Sequence, residues 1–192
     1  MTLLVLGLIA FLGLHLVRVV AEPWRLRQIA ALGPMGWKGA YSLASIAALA
    51  LLVWGFSRAR AGAPVIWTPP PALHYVTAPL VLVSFVLFAA AYVPGSWIKA
   101  KVGHPMTLAI KTWAFAHLVS AGSLADVLLF GSFLGWSVAV YAAARRRDRA
   151  AGEQPPAGKP SRDVLALAAG AIVWVAFVAG LHEWIIGVRP FV

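Results

Sequence analysis

The feature that most constrains this chain is where its charges fall. Uncharged runs cover Met1 to Val17, Gly39 to Ser57, Ala61 to Ile98, Thr112 to Ala125, Val127 to Ala144 and Val164 to His182. A helix needs about 20 mostly apolar residues, rising ~1.5 Å each, to cross a hydrocarbon layer of roughly 30 Å. The runs predict an all-α, polytopic membrane helical bundle with about six transmembrane helices. The spans are expected near Leu3 to Val20, Ala40 to Phe56, Leu73 to Val93, Met106 to Ala121, Leu124 to Ala144 and Val164 to Gly187. The third run exceeds one span, but its first third, Ala63 to Pro71, is Pro-rich and cannot continue a helix. Lys111 interrupts the fourth span near its start, close enough to the surface to snorkel. Only 11% of the residues are charged and 61% are hydrophobic, which excludes an ordinary soluble enzyme with its roughly 25% of charged residues.

The 16 basic residues outnumber the 6 acidic ones, for a net charge of +10. In a soluble protein that excess would suggest nucleic acid, but between apolar spans it is a topology signal. With an outside amino terminus, the odd-to-even connections carry Arg18, Arg25, Arg27, Lys38, Lys99, Lys101, Arg145, Arg146, Arg147, Arg149, Lys159 and Arg162. The opposite side carries Arg58, Arg60 and Arg189. Setting Lys111 aside, the ratio is 12 to 3, which orients both termini to the periplasmic side of a bacterial inner membrane. The run Arg145 to Arg149 directly follows a span and suits anionic headgroups; no nucleic-acid partner is expected. Trp24, Trp37 and Trp97 on the inside, with Trp67 and Trp184 outside, form an aromatic belt. The first apolar run lacks a basic n-region and a cleavage site, so it is expected as a retained helix rather than a signal peptide. Ala150 to Asp163, with its run Gly152 to Pro160, is expected to be a flexible cytoplasmic loop within a single transmembrane domain spanning 1–192.

The absence of cysteine excludes disulfides, thiolate-ligated haem, iron–sulfur clusters and Cys-based zinc sites. The five histidines are then the main candidates for metal chemistry. His15, in the first span, shares a helical face with Phe11 and Arg18. Two readings are open there: an axial ligand above a cation that meets a propionate, or an interfacial histidine bonded to a neighbouring carbonyl. His104 and His117 bracket the fourth span, roughly 20 Å apart along a helix, so they cannot share one ion. His117 sits deep, one turn after Trp113, whereas His104 precedes a proline and suits a capping or interfacial role. His74 and His182 are expected at the outer interface. Metalloprotease, Walker, nucleophile-elbow and dinucleotide motifs are absent. Gly131, Gly135 and Ala139 form a small-residue stripe expected to let a neighbouring helix approach closely.

Several phrases taken together resemble one family: Gly13-Leu14-His15; Trp37-Lys38-Gly39-Ala40-Tyr41-Ser42-Leu43 running on to Trp54-Gly55-Phe56; Trp67-Thr68-Pro69-Pro70; His104-Pro105-Met106; and Trp113-Ala114-Phe115-Ala116-His117-Leu118, then Leu128-Leu129-Phe130-Gly131. Over nearly the whole chain the sequence resembles the NnrU family of bacterial inner-membrane proteins, related to plant and cyanobacterial 15-cis-zeta-carotene isomerase. The resemblance implies a multi-span helical protein linked to denitrification, that is, to nitrite and nitric oxide reduction. The carotenoid relatives bind haem b and isomerise a double bond in a redox-dependent way. Their axial histidines match His15 and His117, with His104 the alternative partner for His15 should the fourth helix hold His117 too far away. The relatives carry a cysteine three residues before the second histidine, where this chain has Ala114, so a thiolate ligand is excluded.

The resulting expectation is a membrane haem b protein with His15 and His117 as neutral axial imidazoles and Arg18 beside them. It would act in redox or redox-dependent isomerisation chemistry on a lipophilic or nitrogen-oxide-linked pathway, with the lipid bilayer and a respiratory or denitrification protein as partners. The alternatives are a non-catalytic partner or assembly factor for such a complex, and an isoprenylcysteine-type methyltransferase. The latter needs an acidic pair after His-Pro, and here the only nearby acid is Asp126.

Overall fold

The computed structural model describes residues 1–152 and 157–190, and they are almost entirely helical. In chain order the elements are α1 (Thr2–Val20), α2 (Glu22–Arg60), α3 (Leu73–Tyr92), α4 (Trp97–Val102), α5 (Pro105–Ser120), α6 (Leu124–Ala150), α7 (Pro160–Ala176), a π-helical turn (Phe177–Leu181) and α8 (His182–Ile186). Among the described residues five stretches are long and apolar enough to cross a membrane: α1, α2, α3, α6 and the continuous run Pro160–Ile186. The expected fourth span is α5, whose 16 residues reach only ~24 Å.

The membrane reading is written in what is buried. Among the described residues, ten of the seventeen buried hydrophobic ones are alanines, including Ala48, Ala90, Ala109, Ala114 and Ala166. The large side chains Ile9, Leu43, Ile46, Val53 and Ile172 point outward instead. In water this would be an aggregating surface; in lipid, where apolar side chains gain nothing by hiding, small residues mediate helix contact and large ones face the acyl chains.

Two compact units divide the chain: Met1–Trp67 with Gly122–Trp136, and Thr68–Ala121 with Ser137–Val192. In the first, α1 packs along α2. Gly7 and Gly55 make the approach possible: a Cβ on Gly7 would lie 2.5 Å from Leu52 Cα, and one on Gly55 2.6 Å from the Leu4 backbone nitrogen. The expected stripe does not do this work. A Cβ at Gly131 or Gly135 would meet nothing within 4 Å, so neither glycine is the point of a close helix approach. α2 begins well before the expected Ala40 and is kinked at Gly33 (φ 72°, ψ 162°), ahead of Pro34, which has no N–H to donate. The non-helical stretch after Arg60 folds back, Ile66 N–H donating to the Gly122 carbonyl (2.7 Å) and Leu124 N–H to that of Pro64 (2.9 Å). Ser123 and Asp126 then cap α6 reciprocally, each side chain accepting from the other's backbone N–H.

In the second unit α3 lies between α5 and α7. Side-chain hydrogen bonds to backbone carbonyls tie the layers: Ser84 Oγ to Ala109 O (2.8 Å), Thr77 Oγ1 to Ala116 O (3.0 Å) and Trp174 Nε1 to Ala78 O (2.9 Å). Buried Asp163 accepts from Ser96 Oγ (2.7 Å) and Ile98 N–H, so a residue of α7 closes the amino end of α4. Of the expected loop Ala150 to Asp163, Glu153 to Pro156 lie outside the described residues, and from Pro160 onward the chain is helical.

Candidate functional site

In the first unit, His15 sits on α1 with Nδ1 2.7 Å from the Phe11 carbonyl oxygen. A carbonyl only accepts, so Nδ1 carries the proton and the lone pair lies on Nε2, the arrangement a metal-binding imidazole requires. Both sequence readings of His15 therefore meet in one geometry, since the carbonyl bond is also what frees Nε2. Phe11 (4.3 Å), Tyr41 (5.6 Å) and Trp136 (6.3 Å) surround the ring. Beside it lies a cavity of about 260 Å³ lined by Leu14, His15, Val17, Arg18, Arg25, Trp37 and Tyr41. Arg18 thus lines the same cavity as His15, as its helical spacing predicts. Arg25 brings a second guanidinium, held at 2.9 Å by Glu22. Trp136 Nε1 and Glu22 Oε2 are buried without a hydrogen-bond partner among the described residues. An indole N–H without a partner, two guanidinium groups and an imidazole with its lone pair on Nε2 are the donors that a group carrying both a metal and carboxylates calls for.

In the second unit, α5 carries the other two candidates. His117 repeats the His15 arrangement, Nδ1 donating to the Trp113 carbonyl at 2.9 Å. Trp113 packs against it (5.2 Å), and Ala114 is fully buried. The imidazole of His182 lies 6.5 Å from that of His117, the two planes 16° from parallel.

His104 is organised differently. Its Nε2 meets Asp148 Oδ2 at 2.8 Å, Arg145 approaches the same oxygen at 3.7 Å, and Tyr141 lies edge-on at 6.3 Å. Nε2 is here the protonated nitrogen, committed to a carboxylate. The geometry joins the amino end of α5 to the basic end of α6. Sequence reasoning missed this partner, although Asp148 is the lone acid within Arg145 to Arg149. It named His182 as an interfacial residue without foreseeing its His117 neighbour, which follows the π-helical turn. The structure thus brings His15 together with Arg18, and places His104 and His117 apart at the two ends of α5.

Among the described residues no group of three or more His, Asp or Glu side chains could hold a bare metal ion. Pairs of imidazoles suit a metal that brings its own equatorial donors. A family model described as NnrU protein matches residues 3–190. No curated protein and no solved structure matches the chain.

Proposed function

This chain belongs to the NnrU family, and on that footing we propose that it is an inner-membrane haem b protein serving a redox step connected with nitrite or nitric oxide reduction. The observation that carries the reading is the shared stereochemistry of His15 and His117. Each is half-buried on an apolar helix, and each gives its Nδ1 proton to the carbonyl four residues back, which puts the ring's lone pair on Nε2.

The resemblance implies His15 and His117 as the residues that would hold the haem, and in the first unit Arg18 and Arg25, which line the cavity beside His15, would offer cations to propionates. Bound haem would supply a one-electron centre whose potential follows its axial ligands and burial. The Phe11 and Trp113 carbonyls hold the two imidazoles in one tautomer, an aromatic ring packs beside each, Phe11 on His15 in the first unit and Trp113 on His117 in the second, and Ala114 offers no thiolate.

Protein expressed with ample haem precursor and purified in detergent is expected to show a Soret band and a pyridine haemochrome of haem b. A colourless, folded protein overturns the reading.

A further inference from the structure

The turn between α1 and α2 gathers two cations around one cavity. With 39 residues α2 would reach ~58 Å if straight, nearly twice a hydrocarbon layer of roughly 30 Å. It does not run straight. Gly33 adopts φ 72° and ψ 162°, a left-handed φ that a residue with a Cβ rarely takes, and Pro34 follows it. Trp24 and Trp37, which 13 residues of straight helix would hold ~20 Å apart, meet with ring centroids 5.9 Å apart. The kink thereby brings Arg25, ahead of it, and Trp37 and Tyr41, behind it, onto one cavity of about 260 Å³ with His15 and Arg18 of α1.

The cations of this cavity are largely uncommitted. Arg18 makes no hydrogen bond or ion pair among the described residues. Arg25 gives only Nη1 to Glu22 (2.9 Å), which leaves its Nε and Nη2 without a partner there. Counting Glu22, the two guanidiniums keep one net positive charge, the complement of a single phosphodiester anion. Guanidinium is the cation whose planar N–H fork matches phosphate oxygens. The volume also limits the occupant. Pockets that enclose a whole drug-sized ligand run to roughly 300–1,000 Å³, so this one takes a headgroup and leaves the remainder of the molecule outside. Around it Trp24, Leu26 and Leu32 are exposed on the same helical segment as Arg25 and Arg27. Large apolar side chains beside arginines mark a helix lying in a membrane interface, at the depth of lipid phosphates.

We propose that this cavity binds the phosphate of an anionic phospholipid, Arg18 and Arg25 clasping its oxygens while the acyl chains stay in the bilayer. The inference does not rest on the haem reading. A lipid and a haem differ in mass, so the two readings fail separately when binding is read by mass.

The test titrates full-length protein in mild detergent with phosphatidylglycerol and counts retained lipid by native mass spectrometry, with inorganic phosphate as the parallel probe. Wild type is expected to retain one phosphatidylglycerol that excess inorganic phosphate does not displace. R18Q, which removes a cation that no described residue pairs with and so leaves the packing intact, is expected to weaken retention about tenfold, the worth of one charge-assisted hydrogen bond. R18Q/R25Q is expected to abolish retention, and R146Q/R147Q, on the basic end of α6, to keep the wild-type level. Undiminished retention in R18Q, or an equal loss in R146Q/R147Q, overturns the proposal. Inorganic phosphate that binds in an Arg18-dependent way, with no lipid retained, overturns the bilayer as the source of the anion.

Discussion

A side chain inside or beside a membrane acquires a role through the partner that fixes it, and the histidines here divide on that basis. His15, His117 and His182 give Nδ1 to carbonyls, whereas His104 commits Nε2 to Asp148. The His104–Asp148 pair is about a quarter to a third exposed (33% and 23%), so its coupling is expected to be modest. A double-mutant cycle of H104A and D148A, read by thermal unfolding in detergent, should return about 0.5–1 kcal/mol of coupling. A cycle that closes to zero would show that the two side chains stabilise the fold independently. The pair was not legible in the sequence because its members lie 44 residues apart and nothing in a basic run announces which acid turns inward. The same holds for Asp163, whose acceptor role depends on Ser96, 67 residues away. Arg18 was legible, because i to i+3 spacing on one helix is local information.

Elements were readable where the chain carries its own punctuation. α3 starts at Leu73, as the preceding prolines dictate, and α6 starts at Leu124 behind its Ser-Asp cap. Hydropathy is blind to continuity, so it did not show that α2 reaches back to Glu22 across a Gly-Pro kink, nor that a π-helical turn lies inside the last apolar run. It was equally blind to which glycines touch a neighbour. Gly55 meets the backbone of Leu3 and Leu4, while Gly135 meets nothing. G55A should therefore force α1 and α2 apart at a cost of about 1–3 kcal/mol. G135A should be neutral, or stabilising by up to about 1 kcal/mol through better helix propensity. Thermal midpoints of the two variants, measured side by side in one detergent, check the contrast. Equal losses would mean that the Gly131–Gly135 face is covered after all, and that the close approach of α1 to α2 is not what stabilises the first unit.

At the scale of the whole molecule, the alanine-rich interior and the outward Leu, Ile and Val make sense only with lipid as solvent, and lipid on a charged chain imposes a side. Twelve of the sixteen basic residues fall on the connections assigned to the cytoplasm, and the cluster Arg145 to Arg149 ends α6 there. Translocating such a cluster across an energised membrane is disfavoured, so the carboxyl end of α6 should stay inside while Arg60, at the end of α2, lies outside. The same lack of cysteine that excludes a thiolate ligand makes the assignment easy to test, since any introduced cysteine is the sole thiol. R60C is expected to react with a membrane-impermeant maleimide applied to intact spheroplasts, and R149C to react only after permeabilisation. The reverse pattern would invert the molecule. Labelling of both residues in intact spheroplasts would mean that α3 and α5 do not cross as separate spans, because the short α5 is the element whose crossing decides on which side the end of α6 emerges.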